Sequence, residues 1–314
     1  MLVVYRKENR WEDREFREFP SFLAPGDCLL LNDSKVFPSR LHGRRAGGTG
    51  PVEVFLLRPT PGGGAGCWET LVRPGRRMRV GDVVSFGADL EAEIVSRGES
   101  GARTIRFLGA ASDPAVLREA LERTGHVPLP PYIKRADDAE DRKRYQTVFA
   151  RDPGSVAAPT AGLHFTDAVL ERCRAAGADV SALTLHVGLG TFQPLHSVQL
   201  ESGRLHEEPY SIAEADLSHV RRAKRVVAVG TTSVRTIETV YSTGALSGET
   251  GLFIRPGHRF EAVGALLTNF HLPRSSLLML VCAFAGEDLT LAAYRHAVEC
   301  RYRFYSFGDC MLIV

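Results

Sequence analysis

Val52-Glu53-Val54-Phe55-Leu56-Leu57 alternates apolar and polar side chains and then runs apolar, as a strand with one face toward a core does. Leu90-Glu91-Ala92-Glu93-Ile94 repeats the alternation. Around these two stretches, segments 40–45, 67–72, 78–86 and 103–107 have the same short, strand-like texture. Turn residues separate them: Pro61-Gly62-Gly63-Gly64, Pro74-Gly75 and Gly81-Asp82. Six short strands at this spacing predict a small closed antiparallel barrel. Mixed helix and strand patterns lie on both sides of it. Residues 40–112 therefore read as a β-barrel inserted into a discontinuous α/β domain, residues 1–39 and 113–314. A chain of 314 residues is long for one core, which agrees with two domains.

Before the insertion, MLVVY at residues 1–5 reads as a strand and 28–31 as a short buried one. Asn32-Asp33-Ser34 reads as the turn that ends the second. After the insertion, Asp113 caps a helix with Pro114 at its first position. The strands 180–187, 225–229, 252–254 and 265–270 then alternate with helices, including an apolar one over 275–284. That alternation is the α/β signature.

The composition is that of an ordinary globular protein, 44% hydrophobic and 24% charged. A net charge of +2 announces no global field for nucleic acid, although a local basic surface remains open. The six cysteines are scattered without a C-x-x-C pair, and no H-E-x-x-H occurs. Neither a metal site nor a disulfide framework is expected, and a reducing, cytoplasmic compartment is. No apolar run reaches the length of a membrane span.

Three stretches carry the chemistry. Residues 154–166, GSVAAPTAGLHFT, have no hydrophobic period. They form a tight loop that delivers Thr160, His164 and Thr166 to a helix start, a place that suits a polar or anionic ligand. A packing loop of small residues without a ligand reads equally well. Val229-Gly230-Thr231-Thr232-Ser233 is a strand, a glycine and a hydroxyl-rich helix start, with Arg235 in the first turn; it is an anion site or an ordinary capped helix. The segment 127–146 interleaves Lys134, Arg135, Arg142 and Arg144 with Tyr132 and Tyr145. Such a run is a solvated face or a grip on a nucleic-acid strand. Gly188-Leu189-Gly190-Thr191 is only a weak glycine motif.

PLPPYIKR at 128–135, DRKRYQTV at 141–148, the 154–166 loop, LHVGLGTF at 185–192, VGTTSVRT at 229–236, LLTNFHLP at 266–273 and YRFYSFGD at 302–309 occur in this order. Together they closely resemble the S-adenosylmethionine:tRNA ribosyltransferase-isomerase family of queuosine biosynthesis, over essentially the whole chain. The resemblance implies an α/β domain with an inserted Greek-key barrel. It implies transfer and isomerisation of the ribosyl part of S-adenosylmethionine onto 7-aminomethyl-7-deazaguanine at the wobble position of tRNA. The expected products are epoxyqueuosine-tRNA, adenine and methionine. S-adenosylmethionine would be consumed as a substrate, with no permanently bound cofactor. The expected partners are tRNAs with GUN anticodons, those for tyrosine, histidine, asparagine and aspartate; no membrane is expected, and a monomer is. Two departures from the family pattern stand out. A further N-terminal segment normally precedes the strand at residues 2–5. The family's His-x-Met-His is Gly203-Arg204-Leu205-His206 here, so the first histidine is absent.

In such a reaction the sulfonium acidifies the adjacent ribose carbon, and a base starts the elimination of adenine. Candidate bases are His164, His186, His206, Glu208 and His271, with His164, His206 and Glu208 expected to line one cleft. Alternation places His206 and Glu208 on one face of an extended segment, and a helix N-terminus after His164 is expected to keep its ring neutral. Substrate binding is expected from Thr160, Thr166, His186, Gly188, Gly190, Thr191, Thr231, Thr232, Arg235, Asn269 and His271. Contacts to tRNA are expected from Lys134, Arg135, Arg142, Arg144 and Tyr145. A Rossmann-type methyltransferase lacks its glycine fingerprint here. A non-catalytic tRNA-binding protein would not need the His, Thr and Asn motifs of the outer domain.

Overall fold

A computed structural model describes residues 1–87, 89–98, 101–130, 132–188 and 197–314. In chain order the strands and helices begin with β1 (Leu2–Tyr5), β2 (Arg10–Asp13), β3 (Asp27–Asn32) and β4 (Ser34–Val36). β5 (Arg40–Arg45), β6 (Pro51–Pro59), β7 (Cys67–Arg73), β8 (Val83–Ser85), β9 (Glu91–Arg97) and β10 (Ala102–Phe107) follow, then α1 (Pro114–Thr124) and α2 (Ala139–Arg144). Next come β11 (Asp152–Ser155), α3 (Asp167–Ala175), β12 (Asp179–Leu185), α4 (Ser197–Ser202), β13 (Arg204–Ile212) and α5 (Glu214–Arg222). β14 (Arg225–Val229), α6 (Thr231–Thr243), β15 (Ser247–Leu252), β16 (Val263–Asn269), α7 (Ser276–Ala285), α8 (Glu287–Glu299) and β17 (Cys310–Ile313) complete the chain.

The chain divides into two compact units, Met1–Lys35 with Arg144–Val314, and Val36–Lys143. The second contains the closed barrel β10-β7-β6-β5-β8-β9. Its partial order β8-β5-β6-β7 places the fourth strand beside the first, the Greek-key arrangement. Leu41, Val54, Leu56, Val72, Ile94, Ile105 and Phe107 are buried in it. The unit extends past the expected limit at residue 112 and takes in α1 and α2 up to Lys143. The reason is hydrogen bonding: His126 exchanges both backbone bonds with Arg40, at 2.8 and 3.2 Å. The expected strand over 78–86 shrinks to Val83–Ser85, because the backbone before it is bonded as a loop.

The first unit holds a nine-stranded sheet, β15-β13-β12-β3-β14-β16-β17-β1-β2. Its centre, β12, β3, β14 and β16, is parallel. Successive side chains there enter opposite cores. Cys28, Leu30, Val226, Ala228 and Leu266 pack with α5 to α8, while Leu29, Leu31, Val227, Val229 and Leu267 pack with α3 and the turn Phe16–Phe22. A strand buried on both faces needs no polar alternation, which is why Arg225-Val226-Val227-Ala228-Val229 is an apolar run. Of the expected strand at 252–254 only Leu252 is in a strand, as the last residue of β15. Among the described residues no single helix is long and apolar enough to cross a membrane, and apolar α7 buries Leu280, Val281 and Phe284 in the core.

Candidate active site

The parallel strands bring Asn32, His186, Gly230-Thr231-Thr232 and Asn269 to one edge, at or just past their carboxyl ends. The crossover after β3 carries α3 on one face of the sheet, and the crossover after β14 carries α6 on the other. Neighbouring strands whose connections diverge in this way open a crevice at their carboxyl ends, the usual ligand position in open α/β sheets.

Residues 154–166 run across this edge. Val156 N–H donates to the Val187 carbonyl at 3.0 Å. Val187 N–H donates to Ser155 Oγ at 2.9 Å, and that hydroxyl donates to the Ala157 carbonyl at 2.7 Å. Gly154 lies against the His186 ring so closely that a Cβ would be 2.8 Å from Nδ1. At β14, Gly230 has φ +89° and a Cβ there would lie 3.6 Å from Ala161. The turn Thr160–His164 then reaches β16, where Asn269 Nδ2 is 3.4 Å from His164 Nε2. The loop thus packs tightly along the carboxyl edge, with Val156, Ala157, Ala158 and Ala161 buried.

Asn269 Nδ2 donates to the Tyr305 carbonyl at 3.1 Å, which fixes the orientation of the amide. The same nitrogen faces His164 Nε2, so the neutral ring carries its proton on Nδ1. Burial lowers the His164 pKa to about 4, with the Met1 ammonium adding to the effect. Burial, rather than the helix N-terminus expected from the sequence, is the leading cause. His186 is also pushed down by burial, against Asp152 and Asp33, which pull it up. Among the described residues, three buried polar atoms at this edge have no hydrogen-bond partner: His186 Nδ1, Thr232 Oγ1 and Asn269 Oδ1.

Other sequence-predicted residues have internal tasks. Glu208 Oε2 and Arg235 Nη1 form a buried ion pair at 2.5 Å. Arg235 also donates to the Leu252 and Thr250 carbonyls at 3.1 and 3.3 Å, and Glu208 Oε1 accepts from Gly188 N–H at 2.7 Å. The carboxylate that Arg235 holds is the protein's own. A shift of register between Arg204 and Glu208 in the β13–β15 ladder breaks the alternation. His206 is therefore exposed while Glu208 is buried, and the expected pair on one face does not form. Thr166 Oγ1 accepts from Val169 N–H at 3.3 Å as the cap of α3 and is exposed. His271 Nε2 is bonded to Thr268 Oγ1 at 2.8 Å, and burial lowers its pKa to about 4. Thr231 is buried in the first turn of α6. Gly190 and Thr191 lie outside the described residues.

A family model described as a queuosine biosynthesis protein matches residues 1–313. An S-adenosylmethionine:tRNA ribosyltransferase-isomerase of Solibacter usitatus is 61% identical, over 100% of this chain and 92% of that protein. One from an Anaeromyxobacter species is 49% identical, over 99% and 91%. A solved S-adenosylmethionine tRNA ribosyltransferase from Thermotoga maritima matches with a TM-score of 0.54 and 37% identity, over 100% of this chain and 91% of that one. The chain belongs to the S-adenosylmethionine:tRNA ribosyltransferase-isomerase family.

In this member of the family the basic segment is largely committed to its own unit. Both Arg135 nitrogens donate to Asp141, Nη2 at 2.8 Å. Arg142 donates to the Glu122 carbonyl at 2.8 Å and to the Gly125 carbonyl, where α1 ends. Tyr145 is fully buried against Phe307, so its ring is not presented for base stacking. Lys134 and Arg144 are exposed, the latter with its guanidinium 6.0 Å from the Phe307 ring.

Sequence reasoning missed several residues that shape the edge. Ser155 is a lone hydroxyl among small residues, and only the fold shows that it ties the loop to β12. Asn32 and Asp33 form more than a turn: Asn32 bonds both backbone groups of Leu185 at 3.1 Å, and Asp33 accepts from Thr184 Oγ1 at 2.7 Å. A cavity of about 290 Å³ is lined by Asp33, Arg151, Asp152, Thr184 and Asp216 among others, and by none of the sequence-predicted site residues.

Proposed function

We propose that the enzyme transfers and isomerises the ribosyl part of S-adenosylmethionine onto 7-aminomethyl-7-deazaguanine at the wobble position of tRNA, with adenine and methionine as leaving products. Membership of the family supports this reading. The observation that carries it is the convergence of His164, Asn269, Thr232 and His186 at one carboxyl edge, with three buried polar atoms that lack partners among the described residues. Buried polar atoms are nearly always hydrogen-bonded, and each left unsatisfied costs about 1–3 kcal/mol. A polyhydroxylated ribosyl ligand offers the donors and acceptors that these atoms need. S-adenosylmethionine is a substrate in this reading, and its sulfonium supplies the reactivity.

His164 is the base in this proposal. With its pKa at about 4 the ring is neutral through the neutral pH range, and Nε2, the nitrogen without a proton, takes the substrate proton in exchange for its 3.4 Å contact with Asn269 Nδ2. It takes the proton from the ribose carbon beside the sulfonium, and adenine is eliminated. The tRNA aminomethyl nitrogen then attacks the ribosyl fragment, and methionine leaves as the ring closes to the epoxycyclopentane. Asn269 positions His164, and Thr232 and His186 hold the substrate through Oγ1 and Nδ1. Glu208 and Arg235 support the wall of the site instead of touching the reacting atoms.

Incubation with S-adenosylmethionine and tRNA bearing the aminomethyl base, followed by mass spectrometry, should show the mass gain of the epoxy-ring group. A gain of one methyl group, or no gain, would overturn the reading. His164→Ala should slow single-turnover adenine release by about 10²-fold or more. A normal release rate in a folded variant would move the base elsewhere.

A further inference from the structure

The barrel unit carries a second basic stretch that the family motifs do not include: Arg73-Pro74-Gly75-Arg76-Arg77-Met78-Arg79, four arginines in seven residues with no acid. It leaves β7 at Arg73 and makes a short helical turn over Gly75–Arg77. Arg73, Arg76, Arg77 and Arg79 are all exposed. Among the described residues, none of the four has a side-chain ion pair, hydrogen bond or ring contact. Elsewhere in the same barrel, arginines face acids. Arg45 meets Asp82 at 2.8 Å, Arg58 meets Glu69 at 2.8 Å and Arg106 meets Glu93 at 2.7 Å.

The backbone beneath these four charges is held firmly. Arg103, buried on β10, donates to the carbonyls of Gly75, Met78, Gly98 and Ala102, the last at 2.7 Å. The Met78 side chain is fully buried and pins the loop to the barrel core. One arginine and one methionine thus fix the path, and four guanidinium groups are left in water. A cationic loop ordered in advance spends little conformational entropy on binding. Guanidinium forks match phosphate oxygens in pairs. A membrane surface would call for an apolar wedge as well, and the loop offers only Val80, 60% exposed.

We infer that the loop 73–79 grips the phosphate backbone of tRNA, with Arg76 and Arg77 as its principal contacts. The inference rests on the tRNA substrate of the proposed function and adds a binding surface outside the α/β unit. It is tested with the full chain and Arg76→Ala/Arg77→Ala, using a transcribed GUN-anticodon tRNA and fluorescence anisotropy at several salt concentrations. Affinity at low salt should fall at least tenfold, by the estimate that two phosphate contacts are lost, and the log–log salt slope should flatten by about 0.7–0.9 per contact. Arg76→Lys/Arg77→Lys should keep the slope, since each lysine still neutralises a phosphate. The melting temperature should not move in either variant. Unchanged affinity and slope in the alanine variant overturn the inference. So does Arg76/Arg77-dependent binding to vesicles of phosphatidylglycerol and phosphatidylcholine with tRNA binding unaffected. If the wild-type chain binds tRNA through these arginines but adds no group to it, the proposed function fails and the surface stands.

Discussion

Arg76 and Arg142 come from stretches with similar numbers of cations, four in 73–79 and five in 134–144, and the fold treats them in opposite ways. Around Arg142 the sequence mixes cations with Asp137, Asp138, Glu140 and Asp141. Those charges are spent internally: Arg135 on Asp141, Asp137 on His126 at 2.8 Å and on Val127 N–H at 2.9 Å, Arg142 on the end of α1. Within 73–79 there are no acids; the neighbouring Glu53 and Asp82 pair with Arg40 and Arg45, and the Gly75 and Met78 carbonyls of the loop are already taken by Arg103. A basic run becomes a ligand surface only when the acids and carbonyls within reach belong to other donors. Count of positive charge does not separate the two stretches; the count of acceptors does.

The largest expected effect extends this rule to the α/β unit. Glu208→Ala leaves Arg235 buried and without its partner, which should cost about 3–5 kcal/mol of stability. Calorimetry of Glu208→Ala should show a large fall in melting temperature. Glu208→Gln keeps the shape and a hydrogen-bond acceptor, and should fall less. If Glu208→Ala melts normally and instead loses turnover, the pair belongs to the reaction and the division between spent and available charges fails.

Arg142→Ala comes next. It removes two bonds to the carbonyls that end α1, and each hydrogen bond from a charged group is worth about 1.5–3 kcal/mol, less for this partly exposed side chain. The melting temperature should drop, and the salt slope of tRNA binding should stay at the wild-type value. A flattened slope with unchanged melting would return Arg142 to the phosphate surface.

Much of the fold was legible because its signals are local. Alternation in Val52-Glu53-Val54 and the turns at 61–64 mark barrel strands, and the apolar runs 225–229 and 265–270 mark a sheet covered on both faces. Helix starts and a strand end likewise locate His164, Thr232 and Asn269 one by one, but their meeting at one edge follows from the strand order, and the sequence grouped His164 with His206 and Glu208 instead. The parts that failed depend on partners distant in sequence. Glu208 and Arg235 are 27 residues apart, and a ladder irregularity decides which face His206 takes. Ser155 acts through Val187, 32 residues away. The unit boundary follows from the pairing of Arg40 with His126, which no local composition reveals.

The histidines follow the same division and give a pH test. His164 and His271 have folded pKa values of about 4, below the ordinary 6.5. The unfolded chain therefore binds more protons than the folded one between these values, and stability falls as pH drops from about 6.5 to about 4. Above about 6.5 these two groups contribute no slope. His271→Asn keeps a polar partner for Thr268 and removes one of the two titrations. Its melting temperature should depend less on pH across that window than that of the wild type. An equal dependence would show that His271 is not held neutral by burial.

The smallest expected effect concerns Lys134 and Arg144, two of the exposed cations of the 134–144 segment. Neither has an acid within ion-pair distance among the described residues. Lys134→Ala should change stability by no more than about 0.5 kcal/mol, as exposed substitutions do. If Lys134 touches one tRNA phosphate, the salt slope should flatten by about 0.7–0.9 and affinity should weaken evenly across tRNA sequences. Arg144→Ala should do the same with a slightly larger effect on melting, because its guanidinium lies over Phe307. These single losses should add to the loss from Arg76→Ala/Arg77→Ala if the contacts are independent. A Lys134→Ala variant whose slope is unchanged, in a protein whose slope does respond to Arg76 and Arg77, would leave the whole 134–143 stretch as scaffold. The contrast between the two arginine-bearing stretches would then be complete.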